Sequence, residues 1–308
     1  MKKLLLSIIV LCVLSLIGIY ALIPSRIAFS KVIIIKTKLP IANRFLMDES
    51  KWVKWFPSES DKNGHMYNNY SYSIGKRMLN AGEVSISNKQ IALISLIHII
   101  SINRDSVAIE WKSEIPGGTN PVSKLRNYLK AKRLQNNMAD ILNSLKSFLE
   151  ENEKVYGVYV HEVISKDSTL IATNCVTKQY PSTLKIYDLI SSLKKFIIDH
   201  NARENNFPML HVKKVNDTTY KTLVAIPVNK FLPGNDTIFN KRFVPWKVLT
   251  AEVRGGNYTV QEALNQMKIY IDDYHREAMA IPFESLVTDR SVQPDTLKWI
   301  TRIYTPVK

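Results

Sequence analysis

TRIYTPVK, residues 301–308, reads as a short strand that closes on a proline and a valine, and KTLVAIPV, residues 221–228, closes the same way. Two strands with one ending invite a search for a repeated unit, and the flanking sequence supplies it. The first copy is expected as strand 169–177, helix 182–200, strand 209–215 and strand 220–228. The second is expected as strand 246–254, helix 259–276, strand 283–289 and strand 298–307. Leu193-x-x-Phe196-Ile197 matches Met267-x-x-Tyr270-Ile271, and Pro208-Met209-Leu210 matches Pro282-Phe283-Glu284. Ile226-Pro227-Val228 matches Thr305-Pro306-Val307. Thr259-x-x-Glu262 has the spacing of a capping box, in which each side chain satisfies the other's backbone N–H. Gly255-Gly256 before it suits a tight turn. Two such strand–helix–strand–strand units are expected to pair about a pseudo-twofold axis and to leave a cleft between the halves.

Upstream, residues 31–39 are β-branched and predict a strand, followed by a helical stretch to about Trp55. Residues 66–114 read as a meander of short strands separated by Gly, Asn and Asp. Asn120-Pro121 then opens a long helix, asparagine as N-cap and proline in the first turn. Leu125, Leu129, Met138, Ile141, Leu145 and Phe148 keep helical spacing to about Glu150. A curved sheet wrapped around one long helix fits this order and would leave a cavity between them.

Residues 4–23 are almost continuously apolar and carry no charge. At about 1.5 Å per residue they make roughly 30 Å of helix, enough to cross a bilayer. An uncleaved single-pass anchor is expected. The main alternative, a cleaved signal peptide, has a shorter apolar core of roughly 7–15 residues. Lys2 and Lys3 favour a cytoplasmic N-terminus, with Arg26 and Lys31 beyond the run blunting the asymmetry. The expected location is a bacterial inner membrane, with the C-terminal domains outside the cytoplasm. The domain boundaries read as 1–25 anchor, 26–154 first domain and 155–308 second domain.

The formal net charge is +15 over 308 residues, spread along the chain with one acid-free cluster at Lys124, Arg126, Lys130, Lys132 and Arg133. A solvated helix face accounts for such a cluster, and so does attraction to anionic lipid. No nucleic-acid motif accompanies the charge, so no nucleic-acid partner is expected. Two cysteines, Cys12 and Cys175, offer no disulfide between folded domains and no thiolate metal site. The six histidines make no HExxH or His-x-His pattern, and no phosphate-binding loop, GxSxG or GxGxxG is present. No metal and no cofactor is expected.

Residues 31–152 resemble the START-like (SRPBCC, polyketide cyclase-like) superfamily with its helix-grip fold. The resemblance is carried by Val32 to Thr37, by Asp48-x-x-x-Trp52-Val53-Lys54-Trp55-Phe56-Pro57, and by the long last helix. Residues 155–308 resemble the GyrI-like, AraC effector-binding superfamily. That resemblance is carried by Gly255-x-x-Tyr258, Pro282-Phe283-Glu284, Asp289 and Trp299 to Val307. An α+β protein follows: an N-terminal transmembrane helix, a helix-grip domain, and a domain of two βαββ repeats. Both resemblances imply binding of small molecules, apolar in the first domain and often cationic and aromatic in the second. The leading expectation is a membrane-tethered binder of a hydrophobic or amphipathic small molecule, without catalysis. A GyrI-like hydrolase of electrophilic substrates and a structural adaptor with vestigial pockets are the alternatives. An open cleft separates the binder from the adaptor.

Glu284 is the first site candidate, because a carboxylate in an apolar cleft either attracts a cation or serves as a general base if desolvation raises its pKa. It is the alternative catalytic residue. Alternation puts Glu284, Leu286 and Thr288 on one face of their strand and Phe283, Ser285 and Val287 on the other. Glu252 and Tyr304 are further candidates for the cleft, with surface exposure and core packing as their ordinary explanations. Arg302 stands where many members of the resembled family carry an acid. A permanent guanidinium there suits a carboxylate or phosphate partner. It either neutralises Glu284 or recruits an anion. Trp52 and Trp55 are ligand candidates in the first domain, at a cavity mouth or in the packing of helix on sheet.

Overall fold

The apolar periodicities build two compact units, residues Met1–Glu151 and Asn152–Lys308. The computed structural model describes residues 2–57, 65–89, 91–166 and 168–308, with the backbone alone for 2–9, 12 and 13.

The first unit begins with helix α1 (Lys2–Leu22). Much of the expected anchor, 4–23, thus has its side chains outside the described residues; among the described residues no helix is long and apolar enough to cross a membrane. Strand β1 (Arg26–Ile35) follows, five residues earlier than the sequence reading placed it, and then helix α2 (Leu39–Leu46). The helical stretch does not run on to Trp55. It breaks at Met47 and resumes as a 3-10 turn, Glu49–Lys54, capped by Asp48, whose carboxylate accepts from Ser50 N. Strands β2 (His65–Tyr67), β3 (Tyr70–Arg77), β4 (Ala81–Ser87), β5 (Ala92–Asn103) and β6 (Ser106–Pro116) complete the sheet. Its order is β1-β6-β5-β4-β3-β2, antiparallel throughout.

Helix α3 (Pro121–Leu149) starts at the expected cap, where Asn120 and Ser123 satisfy each other's backbone N–H. Its C-terminal half buries Leu134, Met138, Ile141, Leu142, Leu145 and Phe148. Burying each such side chain is worth roughly 1.5–3 kcal/mol. Its N-terminal half leaves Val122, Leu125 and Leu129 exposed, although the same helical spacing runs through them.

The interior of this unit is packed where a cavity was expected. Trp52, Tyr72 and Trp111 are fully buried. The Trp52 ring stacks on Phe56 with centroids 5.5 Å apart. Trp52 and Trp55 donate their indole N–H groups to the carbonyls of Leu46 and Phe45, at 2.8 and 3.0 Å. Both tryptophans therefore fill core rather than rim a ligand cavity.

The second unit opens with helix α4 (Asn152–Tyr156) and strand β7 (His161–Ile164). The first repeat is β8 (Ser168–Thr177), α5 (Thr183–Asp199), β9 (Met209–Asn216) and β10 (Thr219–Val228). Strand β11 (Ile238–Phe243) intervenes. The second repeat is β12 (Lys247–Arg254), α6 (Asn257–Asp273), β13 (Phe283–Leu286) and β14 (Ile300–Pro306). Sheet order β11-β8-β10-β9-β13-β14-β12-β7 reads the same from either end, with β9 and β13 joined at the centre. The two strands not foreseen, β7 and β11, pad the two outer edges. Strand β7 precedes the first repeat yet pairs with the second, through β12.

One sheet face carries the helices. Helix α5 buries Ile186, Ile190, Leu193 and Ile197 against Leu210, Val224 and Ile226. Helix α6 buries Val260, Ala263, Met267 and Ile271 against Ala251, Val253 and Ile303. The matched residues Leu193 and Met267, and Ile197 and Ile271, occupy equivalent core places. The expected capping box does not form. Helix α6 starts two residues early, its N-cap is Gly256 without a side-chain bond, and Thr259 lies inside the first turn. Gly255 has φ +126, and a Cβ there would lie 2.6 Å from Thr259 Oγ1. Glycine is required at that turn.

Candidate functional site

The second unit offers two places with chemistry, one on each face of its sheet. Strand alternation separates them. Phe283 and Ser285 face away from the helices, and Glu284 and Leu286 face toward them.

The open face carries a cleft of about 500 Å³. Phe243, Phe283, Tyr304 and Met209 line it, with Ser168 and Ser285 as polar points. The Phe283 and Tyr304 rings are stacked, with centroids 5.0 Å apart and planes at 14°. Register explains the stack, because these residues are direct cross-strand partners on β13 and β14. Phe243 meets Phe283 edge-on at 5.5 Å and 84°. Lys166 is the one charged side chain among the described residues lining the cleft. A smaller apolar cavity of about 170 Å³ shares Leu170, Met209, Phe243 and Phe283 with it, and has His211, Lys241 and Arg242 among its walls. Burial pushes the pKa of His211 down, and its Nδ1 lies 2.7 Å from the Pro282 carbonyl oxygen.

The helix face holds Glu284, which is 4% exposed. Burial raises its pKa to about 7, against the opposing pull of the Arg290 guanidinium. Arg290 Nη2 lies 4.0 Å from Glu284 Oε2, too long for a hydrogen bond. That Nη2 donates instead to Thr301 Oγ1 at 2.6 Å. The Arg290 guanidinium sits 4.8 Å from the centre of the Trp299 ring, and its backbone N–H donates to Tyr187 OH at 2.6 Å. Arg290 Nε is buried without a hydrogen-bond partner. The pKa of Tyr180 is raised by burial first and by the charge of Glu284 second. A carboxylate desolvated in this way is an acid at mildly acidic pH and an anion above neutrality.

Arg302 does not reach Glu284. Its Nε donates to Glu252 Oε2 at 3.2 Å, and both side chains are about half exposed. Glu252 and Arg302 are cross-strand partners on β12 and β14. Of the predicted residues, Tyr304 lines the cleft; Glu252 and Arg302 pair on the same sheet face; Glu284 lies behind the sheet; Trp52 and Trp55 belong to the first unit's core. The residue missed was Arg290. The strand expected to reach Asp289 ends at Leu286, and Arg290 follows in a loop where Asp289 accepts from Ser291 N. Its one sequence signal is an arginine close behind a Pro-x-Glu strand.

No known family model matches the chain, and no curated protein matches it. Solved structures do show likeness in fold. The EcmrR–DNA complex in EcmrR-RPo, solved by cryo-EM, is 16% identical over 61% of this chain and 72% of that chain, with a TM-score of 0.45. A hydrolase from Listeria innocua is 7% identical over 48% of this chain and 91% of that chain, with a TM-score of 0.38. SAV2435 bound to tetraphenylphosphonium is 15% identical over 49% of this chain and 93% of that chain, with a TM-score of 0.32.

Proposed function

We propose that the second unit binds a neutral or anionic aromatic amphiphile in the cleft on its open sheet face. The observation that carries this reading is the stacked Phe283–Tyr304 pair with Phe243 edge-on, lining about 500 Å³ of open space. That volume lies in the range of small-molecule sites, roughly 300–1,000 Å³, and aromatic walls with few polar points are their usual lining. Lys166 in the cleft and Lys241 in the adjoining cavity set the preference for anions over cations. The open cleft speaks against an adaptor with a filled pocket.

The same proposal takes this unit as GyrI-like, on Gly255-x-x-Tyr258, Pro282-Phe283-Glu284 and the repeat. It takes the first as START-like, on Asp48, Trp52, Trp55 and the long last helix. It also takes residues 4–23 as a membrane anchor, on their uninterrupted apolar character. Native mass spectrometry of the detergent-extracted chain tests the binding. A co-purifying small molecule, lost in Phe283→Ala, is the expected result. Empty spectra in several detergents would count against it. Binding of tetraphenylphosphonium in preference to an aromatic sulfonate would contradict the charge preference.

A second reading, hydrolysis with Glu284 as general base, is favoured by its raised pKa, since perturbed carboxylates gather at active sites. It requires a substrate to enter from the helix face. Turnover of an ester or epoxide by the wild type, abolished in Glu284→Gln, would establish it. Equal behaviour of the two across such a panel removes it.

A further inference from the structure

The first unit carries a groove of about 1290 Å³ between the N-terminal half of α3 and the β2–β3 hairpin. Val122, Arg126, Leu129, Lys130 and Arg133 line it from the helix. They recur at helical spacing, so one stripe of α3 presents apolar and cationic groups together. Val122 is 72% and Leu129 57% exposed. Among the described residues no acidic side chain lines the groove, and none pairs with Arg126, Lys130 or Arg133. The opposite wall is fixed. Asn68 and Asn69 turn the hairpin with φ of 48 and 67. Asn68 Nδ2 donates to buried Asn137 Oδ1 at 2.9 Å, and Asn137 Nδ2 donates to Tyr72 OH at 3.2 Å.

The start of α3 also meets the apolar N-terminal helix, through the side of α3 opposite this stripe. Lys124, 7% exposed, donates from Nζ to the carbonyls of Tyr20 and Ile23 at 2.9 and 2.6 Å. Its ammonium also lies 4.4 Å from the Tyr20 ring centre. The start of α3 is thereby tied to the end of α1.

We propose that this groove docks on the surface of an anionic phospholipid bilayer. Arg126, Lys130 and Arg133 meet lipid phosphates, and Val122, Leu125 and Leu129 enter the boundary between headgroups and acyl chains. Mixed basic and apolar character on one helix face is the pattern of interfacial helices. The proposal is independent of the second unit's ligand.

The test uses the full chain with Cys12→Ser and Cys175→Ser, and a nitrobenzoxadiazole dye on Leu129→Cys or, separately, Leu125→Cys. Vesicles of phosphatidylcholine alone are compared with vesicles that also contain phosphatidylglycerol. Blue-shifted emission, quenched by spin-labelled lipid, is expected with phosphatidylglycerol only. Arg126→Glu, Lys130→Glu and Arg133→Glu should each reduce the inserted fraction by about fivefold or more. Lys132→Glu, whose side chain is outside the groove, should change it less. Raised salt, which acts on the unaltered arginines and lysine, should also reduce it. Emission that is the same in both vesicles overturns the proposal. So does a blue-shifted dye before any vesicle is added, which would mean that protein covers the groove.

Discussion

Glu284 faces Leu210 across the central strand pair of the second unit, and Leu210 holds the same place in the first repeat. The pseudo-twofold axis therefore sets a leucine against a glutamate. Leu210 joins the hydrophobic core of α5, whereas Glu284 needs a guanidinium nearby. Arg290 supplies it without closing a hydrogen bond.

Burial of Glu284, only partly offset by the Arg290 guanidinium, predicts a pH dependence. The Glu284 pKa is raised from 4.5 to about 7 in the fold. The folded state thus holds a proton that the unfolded chain releases at lower pH. Its stabilising share is fully present below the unfolded value and is lost as pH rises through about 7. The loss should reach about 3 kcal/mol between pH ~4.5 and ~8. Glu284→Gln should flatten that slope in urea denaturation measured at each pH. Parallel profiles for the two proteins would refute the assignment.

Arg302 and Glu252 should contribute little. Their 3.2 Å contact is half exposed, and such pairs are worth about 0–1 kcal/mol. A double-mutant cycle with Arg302→Ala and Glu252→Ala should give a coupling within that range. Arg302→Ala should also leave the Glu284 pH profile unchanged. A coupling well above the range would mean that the pair is part of a larger network.

Gly255 and Gly256 should separate sharply. Gly255→Ala meets both a φ of +126 and Thr259 Oγ1 at 2.6 Å, whereas an alanine at Gly256 meets nothing closer than 3.6 Å. A loss of about 1–3 kcal/mol is expected for the first and clearly less for the second. Thermal unfolding of the two variants checks this; similar losses would contradict it.

Lys124→Met should loosen the end of α1. Two carbonyls lose their ammonium donor, a change of about 1–3 kcal/mol for charge-assisted bonds. Hydrogen exchange around Tyr20 to Ile23 should quicken by roughly tenfold or more. Unchanged exchange there would show that other contacts hold the segment.

Much of the second unit was legible because its core repeats. Leu193 and Ile197, like Met267 and Ile271, carry helical spacing that burial then enforces. The faces of β13 were legible from alternation, but not which of them meets the cleft, because helix placement decides that. Strands β7 and β11 are short edge strands whose pairing depends on distant partners. The Glu252–Arg302 pair follows from cross-strand register, which local sequence does not encode. Arg290 was hidden because the strand was read three residues too long. In the first unit, the helical spacing of Leu125 and Leu129 was legible, but not that they stay exposed while the C-terminal half of α3 buries its apolar side chains.

The most direct test of the binding site is a fluorescence titration with 1-anilinonaphthalene-8-sulfonate on the full chain and two variants. The cleft account predicts saturable binding to wild type, weakened by about tenfold or more in Phe283→Ala through lost stacking and apolar contact. It predicts nearly unchanged binding in Glu284→Gln, whose side chain lies behind the sheet. Binding that survives Phe283→Ala but fails in Glu284→Gln would contradict the account and move the ligand to the helix face.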